Sequence, residues 1–248
     1  MSLRVVTVLA GCVLACGCGG SKPSVATPVP TATAVRATGP EPLDRCEAAG
    51  AGWQALPTSG DYSPPSAAWL GSGKVGVVFA NDSNNDACDW SREARALADH
   101  GYAVAVFDAS IAYESRQAVA VADALRRAGG ARRIAVIGAS VGARAVLQVG
   151  AAHPPGVAGL VAMSAERRIS SNPSDLLPIG RRVRVPVLTI GSRQDPLTSF
   201  GKDTTAWHRT IPDDQVLILS GGDHGVELLS HRHGPRVRAA ILAFLRSL

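Results

Sequence analysis

Residues 133 to 147 read RIAVIGASVGARAVL, and the fold class turns on this stretch. Ile134, Ala135, Val136 and Ile137 form an uncharged, partly β-branched run, the pattern of a strand buried on both faces. The run stops at Gly138. Beyond Ala139, Ser140, Val141 and Gly142 comes a segment rich in Ala, Val and Leu with no proline until Pro154, long enough for a helix. The order is therefore strand, sharp turn, helix. A serine at the tip of such a turn adopts a strained backbone, and strand and helix approach only if the residues two positions either side lack bulk. Gly138 and Gly142 meet that condition. The plainer reading is a turn whose serine merely caps the helix.

Working outward, the same alternation recurs. Trp53 to Leu56 and Ala67 to Leu70 read as two short antiparallel strands around the turn residues Ser59-Gly60-Asp61, and Val75 to Ala80 as a stronger strand. After the polar loop from Asn81 to Asp86, Asp89 or Ser91 is expected to cap a helix that runs through His100 and closes at Gly101. Ala103 to Phe107 is the next strand, and Ala118, Val121, Ala122 and Leu125 form the core face of a helix ending at Gly129-Gly130. Beyond the central stretch, Val157 to Met163, Val185 to Ile190 and Val216 to Leu219 read as strands, with helices expected near Ser199 to Arg209 and from Val237 to Leu248. Such alternation predicts an α/β fold, a mostly parallel sheet covered on both faces, with ligands outside the carboxyl ends of the strands.

Two of those strand ends carry chemistry. The strand ending at Ile190 runs into Gly191-Ser192-Arg193-Gln194-Asp195-Pro196, and the one ending at Leu219 into Ser220-Gly221-Gly222-Asp223-His224-Gly225. A serine hydroxyl is a weak nucleophile that needs a base within hydrogen-bond reach and a third group to orient that base. Ser140, Asp195 and His224 supply these in chain order, on one edge of the expected sheet. Glu166, just past the strand ending near Met163, is the alternative acid. Asp223 is expected to point elsewhere.

The G-x-S-x-G turn with this order of residues resembles the α/β-hydrolase superfamily across Trp53 to Leu248, with an architecture similar to its dienelactone-hydrolase-like branch, where Ser140 replaces the usual cysteine. The resemblance implies catalysis by Ser140, Asp195 and His224. Asn81-Asp82-Ser83 stands nine residues before Trp90, where many members have His-Gly-X. Carried over, the oxyanion donors are the backbone N–H groups of Ser83 (or Asp82) and Val141. Lacking glycine, that loop is a departure, and an inward Asp82 carboxylate would oppose an oxyanion. About 20 residues separate the strands near Ser164 and Val185, too few for a large cap. Arg167, Arg168, Arg181, Arg182 and Arg184 fall in that connection, beside the expected site edge, where they suit an anionic substrate or lipid headgroups, or form a solvated face.

The chain has 248 residues, a formal net charge of +5 and 22 Arg against three Lys, a skew without the clustered basic stripe of a nucleic-acid surface. Aromatics are 4%, too few for base-stacking platforms. Residues 1–18 read as a signal peptide: Arg4, then an apolar run from Val5 to Ala15 too short to span a membrane. Leu9-Ala10-Gly11-Cys12 resembles a bacterial lipobox, and Cys12, Cys16 and Cys18 are candidate lipid anchors, Cys18 having the better spacing. Residues 19–45, rich in Pro, Thr and Ala, read as a tether to a domain at 46–248. Cys46 and Cys88, in a domain exported to an oxidising compartment, suit a disulfide.

These features predict an exported, capless serine hydrolase of a small-molecule carboxylic ester, lipid-anchored in a bacterial cell envelope. No metal or cofactor is implied; His231-x-His233 has no partner at ligand spacing. The rivals are a cell-envelope lipoprotein that keeps the fold only for binding, and an acyltransferase whose acyl-enzyme passes to an alcohol.

Overall fold

The computed structural model describes residues 52–83, 86–168 and 174–248. The anchor candidates Cys12, Cys16 and Cys18, the signal peptide, the tether and Cys46 lie outside them. Eight strands form one sheet: β1 (Gln54–Ala55), β2 (Ala67–Leu70), β3 (Val75–Ala80), β4 (Ala103–Phe107), β5 (Arg133–Ala139), β6 (Val157–Met163), β7 (Val187–Ser192) and β8 (Asp214–Leu219). Their spatial order is β1-β2-β4-β3-β5-β6-β7-β8. β2 runs antiparallel to both its neighbours, and every pairing from β4 to β8 is parallel.

The helices are α1 (Ser91–Asp99), α2 (Glu114–Ala128), α3 (Val141–Ala152), α4 (Leu177–Gly180), α5 (Lys202–Thr210), α6 (Glu227–Ser230) and α7 (Gly234–Ser247). Because side chains alternate across a strand, β3, β5 and β6 feed two cores. Phe79, Ile137 and Met163 pack with Trp90, Leu97 and Ile241 beneath α1 and α7. Val78, Val136 and Leu160 pack with Val121, Val146 and Trp207 beneath α2, α3 and α5. An apolar residue is thus needed at every position of a central strand, which is why these runs do not alternate in polarity. Truncating one of them, such as Ile137→Ala, costs about 2–5 kcal/mol.

Some boundaries differ from expectation. Asp86, not Asp89 or Ser91, caps the single 3-10 turn Ala87–Trp90 that precedes α1: its carboxylate accepts the Cys88 N–H at 2.7 Å, and Asp89 accepts the Asp86 N–H at 3.2 Å. β7 starts at Val187 rather than Val185, because Pro186 has no N–H for the ladder. The first strand shrinks to two residues at the sheet edge. The connection from Ser164 to Pro186 carries only the one-turn helix α4 among its described residues. It crosses the whole sheet edge to edge, so Arg181, Arg182 and Arg184 lie at the amino edge: Arg182 donates to the Ala151 carbonyl, at the far end of α3. Only Arg167 and Arg168 belong to the site edge, which corrects the expectation for that run.

Candidate active site

Ser140 stands between the end of β5 and the start of α3 with φ 50° and ψ −111°, a left-handed strained conformation for a non-glycine residue. The two flanking glycines make it possible. A Cβ on Gly138 would lie 2.5 Å from the Gly142 carbonyl carbon, and one on Gly142 would lie 2.6 Å from the Ala80 carbonyl oxygen. The turn is thereby pressed against the end of β3. The Ser140 N–H donates to the Met163 carbonyl at 2.9 Å, which fixes it to β6 as well.

Asp195, fully buried after β7, accepts a 2.8 Å hydrogen bond from His224 Nδ1. Its other oxygen accepts the Leu197 N–H at 3.0 Å, the short local turn that an Asp-Pro pair favours. The carboxylate is therefore held on both oxygens, and the imidazole with it. His224 is fixed from two further sides: Glu227 accepts its N–H at 3.1 Å, and the buried Ser164 hydroxyl accepts the N–H of Gly225 at 3.0 Å. Burial disfavours an imidazolium, but the Asp195 hydrogen bond and the charges of Asp195, Asp82 and Glu166 outweigh it and raise the His224 pKa. Its Nε2 is buried without a hydrogen-bond partner.

The structure does not bring Ser140 and His224 into hydrogen-bond contact. The Ser140 hydroxyl donates instead to Glu166 Oε1 at 3.3 Å, and Glu166 Oε2 lies 3.2 Å from Arg144 Nη1. Glu166 is thus beside the serine, whereas Asp195 alone holds the imidazole. Arg144 reaches it because residues i and i+4 of a helix share a face and side chains lean toward the N-terminus, here toward Ser140.

The first loop departs from expectation in the same direction. Asp82 Oδ1 accepts the Ser83 N–H at 2.6 Å, so one expected oxyanion donor is already engaged. Asp82 Oδ2 lies against Gly225, where a Cβ would collide with it. The carboxylate therefore turns toward the His224 loop rather than outward. Val141, as the first residue of α3, has no carbonyl four residues earlier in the helix for its N–H. Behind the loop, Asn81 donates its N–H to the buried Glu114 at 2.7 Å and its side-chain amide to the Phe107 carbonyl at 2.8 Å. Burial raises the Glu114 pKa to about 7, opposed by the Asn81 N–H and Arg144 and aided by Asp82.

The remaining sequence candidates resolve simply. Asp223 pairs with His231 at 3.0 Å, facing away from His224, and His233 Nε2 sits 2.8 Å from the Ser220 carbonyl oxygen. Cys88 lies in the 3-10 turn against the core beneath α1. Four residues at the site were not singled out from the sequence: Arg144, Ser164, Glu114 and Glu227. Arg144 was legible, four residues past Ser140 on a helix; Ser164 carried the weaker signal of a serine directly after an apolar strand, at φ 54°.

No protein-family model matches the chain, and no curated protein matches it in sequence. Solved structures do. A proline iminopeptidase from Mycobacterium smegmatis is 13% identical, with a TM-score of 0.62 over 79% of this chain and 98% of that one. A Pyrococcus furiosus esterase is 15% identical, with a TM-score of 0.65 over 80% and 91%. An enol-lactonase from Burkholderia xenovorans is 13% identical, with a TM-score of 0.58 over 73% and 96%. The chain has the α/β-hydrolase fold.

Proposed function

We propose that this α/β-hydrolase-fold chain is a serine hydrolase that cleaves a carboxylic ester through an acyl-enzyme on Ser140. One observation carries the reading. A serine held at positive φ shares the carboxyl edge of the sheet with a buried Asp195–His224 pair, and the imidazole's Nε2 has no partner. A non-catalytic surface has no need of either.

Rotation of the Ser140 hydroxyl away from Glu166 frees its proton for His224 Nε2. Oγ then attacks the ester carbonyl, Nε2 takes the proton, and Asp195 fixes the tautomer and stabilises the imidazolium. As the C–O bond to the alcohol breaks, Nε2 returns that proton to the leaving oxygen. Water attacks the acyl-enzyme by the same route in reverse, giving the acid and restoring Ser140. The Val141 N–H is the oxyanion donor in hand. Asp82, Glu166 and Asp195 outnumber Arg144 around the serine, so the site favours neutral or cationic esters over anionic ones. Export, a lipid anchor on Cys18, Cys12 or Cys16, and a Cys46–Cys88 disulfide complete the proposal. Palmitate incorporation and peptide mapping without reductant test these three.

The test of activity is labelling of the purified chain by a fluorophosphonate, with Ser140→Ala alongside. Labelling that vanishes in the variant supports an activated serine. If the folded chain is not labelled, the binding-protein reading replaces it, and one specific observation favours that rival: Asp82 holds the Ser83 N–H.

A further inference from the structure

The large apolar side chains left exposed, among the described residues, are Tyr62, Ile111, Tyr113, Leu197 and Phe200. All five occupy one edge of the sheet. Leu197 and Phe200 follow the carboxyl end of β7, and Ile111 and Tyr113 follow that of β4. Tyr62 lies between β1 and β2, and because β2 is antiparallel to β4, with Ala67 opposite Phe107, that loop reaches the same edge. Tyr62 is tied to its neighbours there: its ring is 5.7 Å from that of Tyr113, and Arg116 lies over it. This edge also holds Ser140, Asp195 and His224.

Leu197, Ile111 and Phe200 are 59%, 60% and 65% exposed, more than chance placement of single apolar residues explains when the opposite edge has none among the described residues. Phe200 is moreover held out by strain. Ser199, Phe200 and Gly201 all have positive φ, at 53°, 58° and 74°, although only the last is glycine. The Phe200 N–H donates to the Asp195 carbonyl at 2.8 Å, so the aromatic ring is presented from a loop tied to the site itself.

Cations lie beside this apolar rim. Lys202, two residues past Phe200, opens α5, and Arg193, exposed in the loop after β7, has its backbone against Gly201. Neither Lys202 nor Arg193 has an ion-pair partner among the described residues. Exposed aliphatic and aromatic tips flanked by free cations are the combination that suits a bilayer of anionic lipids: the tips enter the headgroup boundary while the cations meet phosphate.

We propose that the carboxyl edge, led by Phe200, Leu197 and Ile111 with Lys202 and Arg193, docks on an anionic phospholipid surface and turns the mouth of the site toward it. The surface does not depend on Ser140 being catalytic; if it is, the substrate reaches the site from the membrane.

Full-length Phe200→Trp is titrated with vesicles carrying brominated lipid, either phosphatidylcholine alone or with phosphatidylglycerol. The parent's four tryptophans serve as the baseline. Extra quenchable emission is expected only in the variant and only with phosphatidylglycerol. Lys202→Gln/Arg193→Gln in that background should raise the lipid needed for half-maximal quenching about thirtyfold, at roughly fivefold per cation. No extra quenching, or equal quenching on neutral vesicles, overturns the proposal. So does a lipid-free oligomer that Phe200→Ser dissociates, which assigns the rim to a second copy of the chain.

Discussion

Asp82 is expected to throttle the proposed chemistry, and its removal to speed it. Its carboxylate occupies the Ser83 N–H at 2.6 Å and raises the pKa of His224 through its charge. Two effects are separable. Asp82→Asn keeps an oxygen for the Ser83 N–H and deletes only the charge. At an effective dielectric of 20, a unit charge acts with about 4 kcal/mol at 4 Å and about 2 kcal/mol at 8 Å, so even partial screening leaves about tenfold in acylation rate. Asp82→Ala also frees the N–H, and one oxyanion donor is worth about 10²- to 10³-fold in rate. The assay is the second-order rate of fluorophosphonate labelling, with kcat for p-nitrophenyl acetate in parallel. The expected order is parent, then Asn, then Ala as the fastest. Rates that are unchanged or lower in both folded variants would refute this account of the loop.

The labelling rate should rise with pH with a half-point above 6.5, because His224 must be neutral to act and its pKa is raised; Glu166→Gln should move that half-point down, and a parent value at or below 6.5 contradicts the electrostatics described. Gly142→Ala puts a methyl group against the Ala80 and Asn81 carbonyls, backbone that cannot swing aside, so a loss of about 1–3 kcal/mol in denaturant unfolding and abolished labelling are expected. Glu114 binds its proton more tightly folded than unfolded, 7 against 4.5, so its contribution to stability falls by about 3 kcal/mol as pH rises from below 4.5 past 7. Glu114→Gln should remove that fall between pH 5 and 8, and an unaltered pH slope of unfolding would show that Glu114 is not its source.

Much of the architecture was legible because burial on both faces leaves an unmistakable pattern. β3, β4 and β6 fall where uncharged runs predict them, since a strand covered by helices on both sides admits no polar position. The helix and strand ends were less legible. Asp86 displaced Asp89 as the cap because the chain enters α1 by a 3-10 turn, whose last residue, Trp90, stacks on Phe79 with ring centroids 4.5 Å apart. The arginine run misled for a similar reason: sequence distance from a strand end does not say that the connection crosses to the opposite edge.

By itself the sequence determined the strained turn at Ser140, since glycines at 138 and 142 are a local steric requirement, and the pairing of Asp195 with His224, since both follow apolar strands that a parallel sheet must end on one edge. Tertiary structure alone decided where the carboxylates point. Asp82, Glu114, Glu166 and Arg144 come from four separate segments, and only their meeting around Ser140 sets which oxygen takes which proton. Hydrogen bonds and Coulomb forces act over a few ångströms, a distance that sequence separation does not encode.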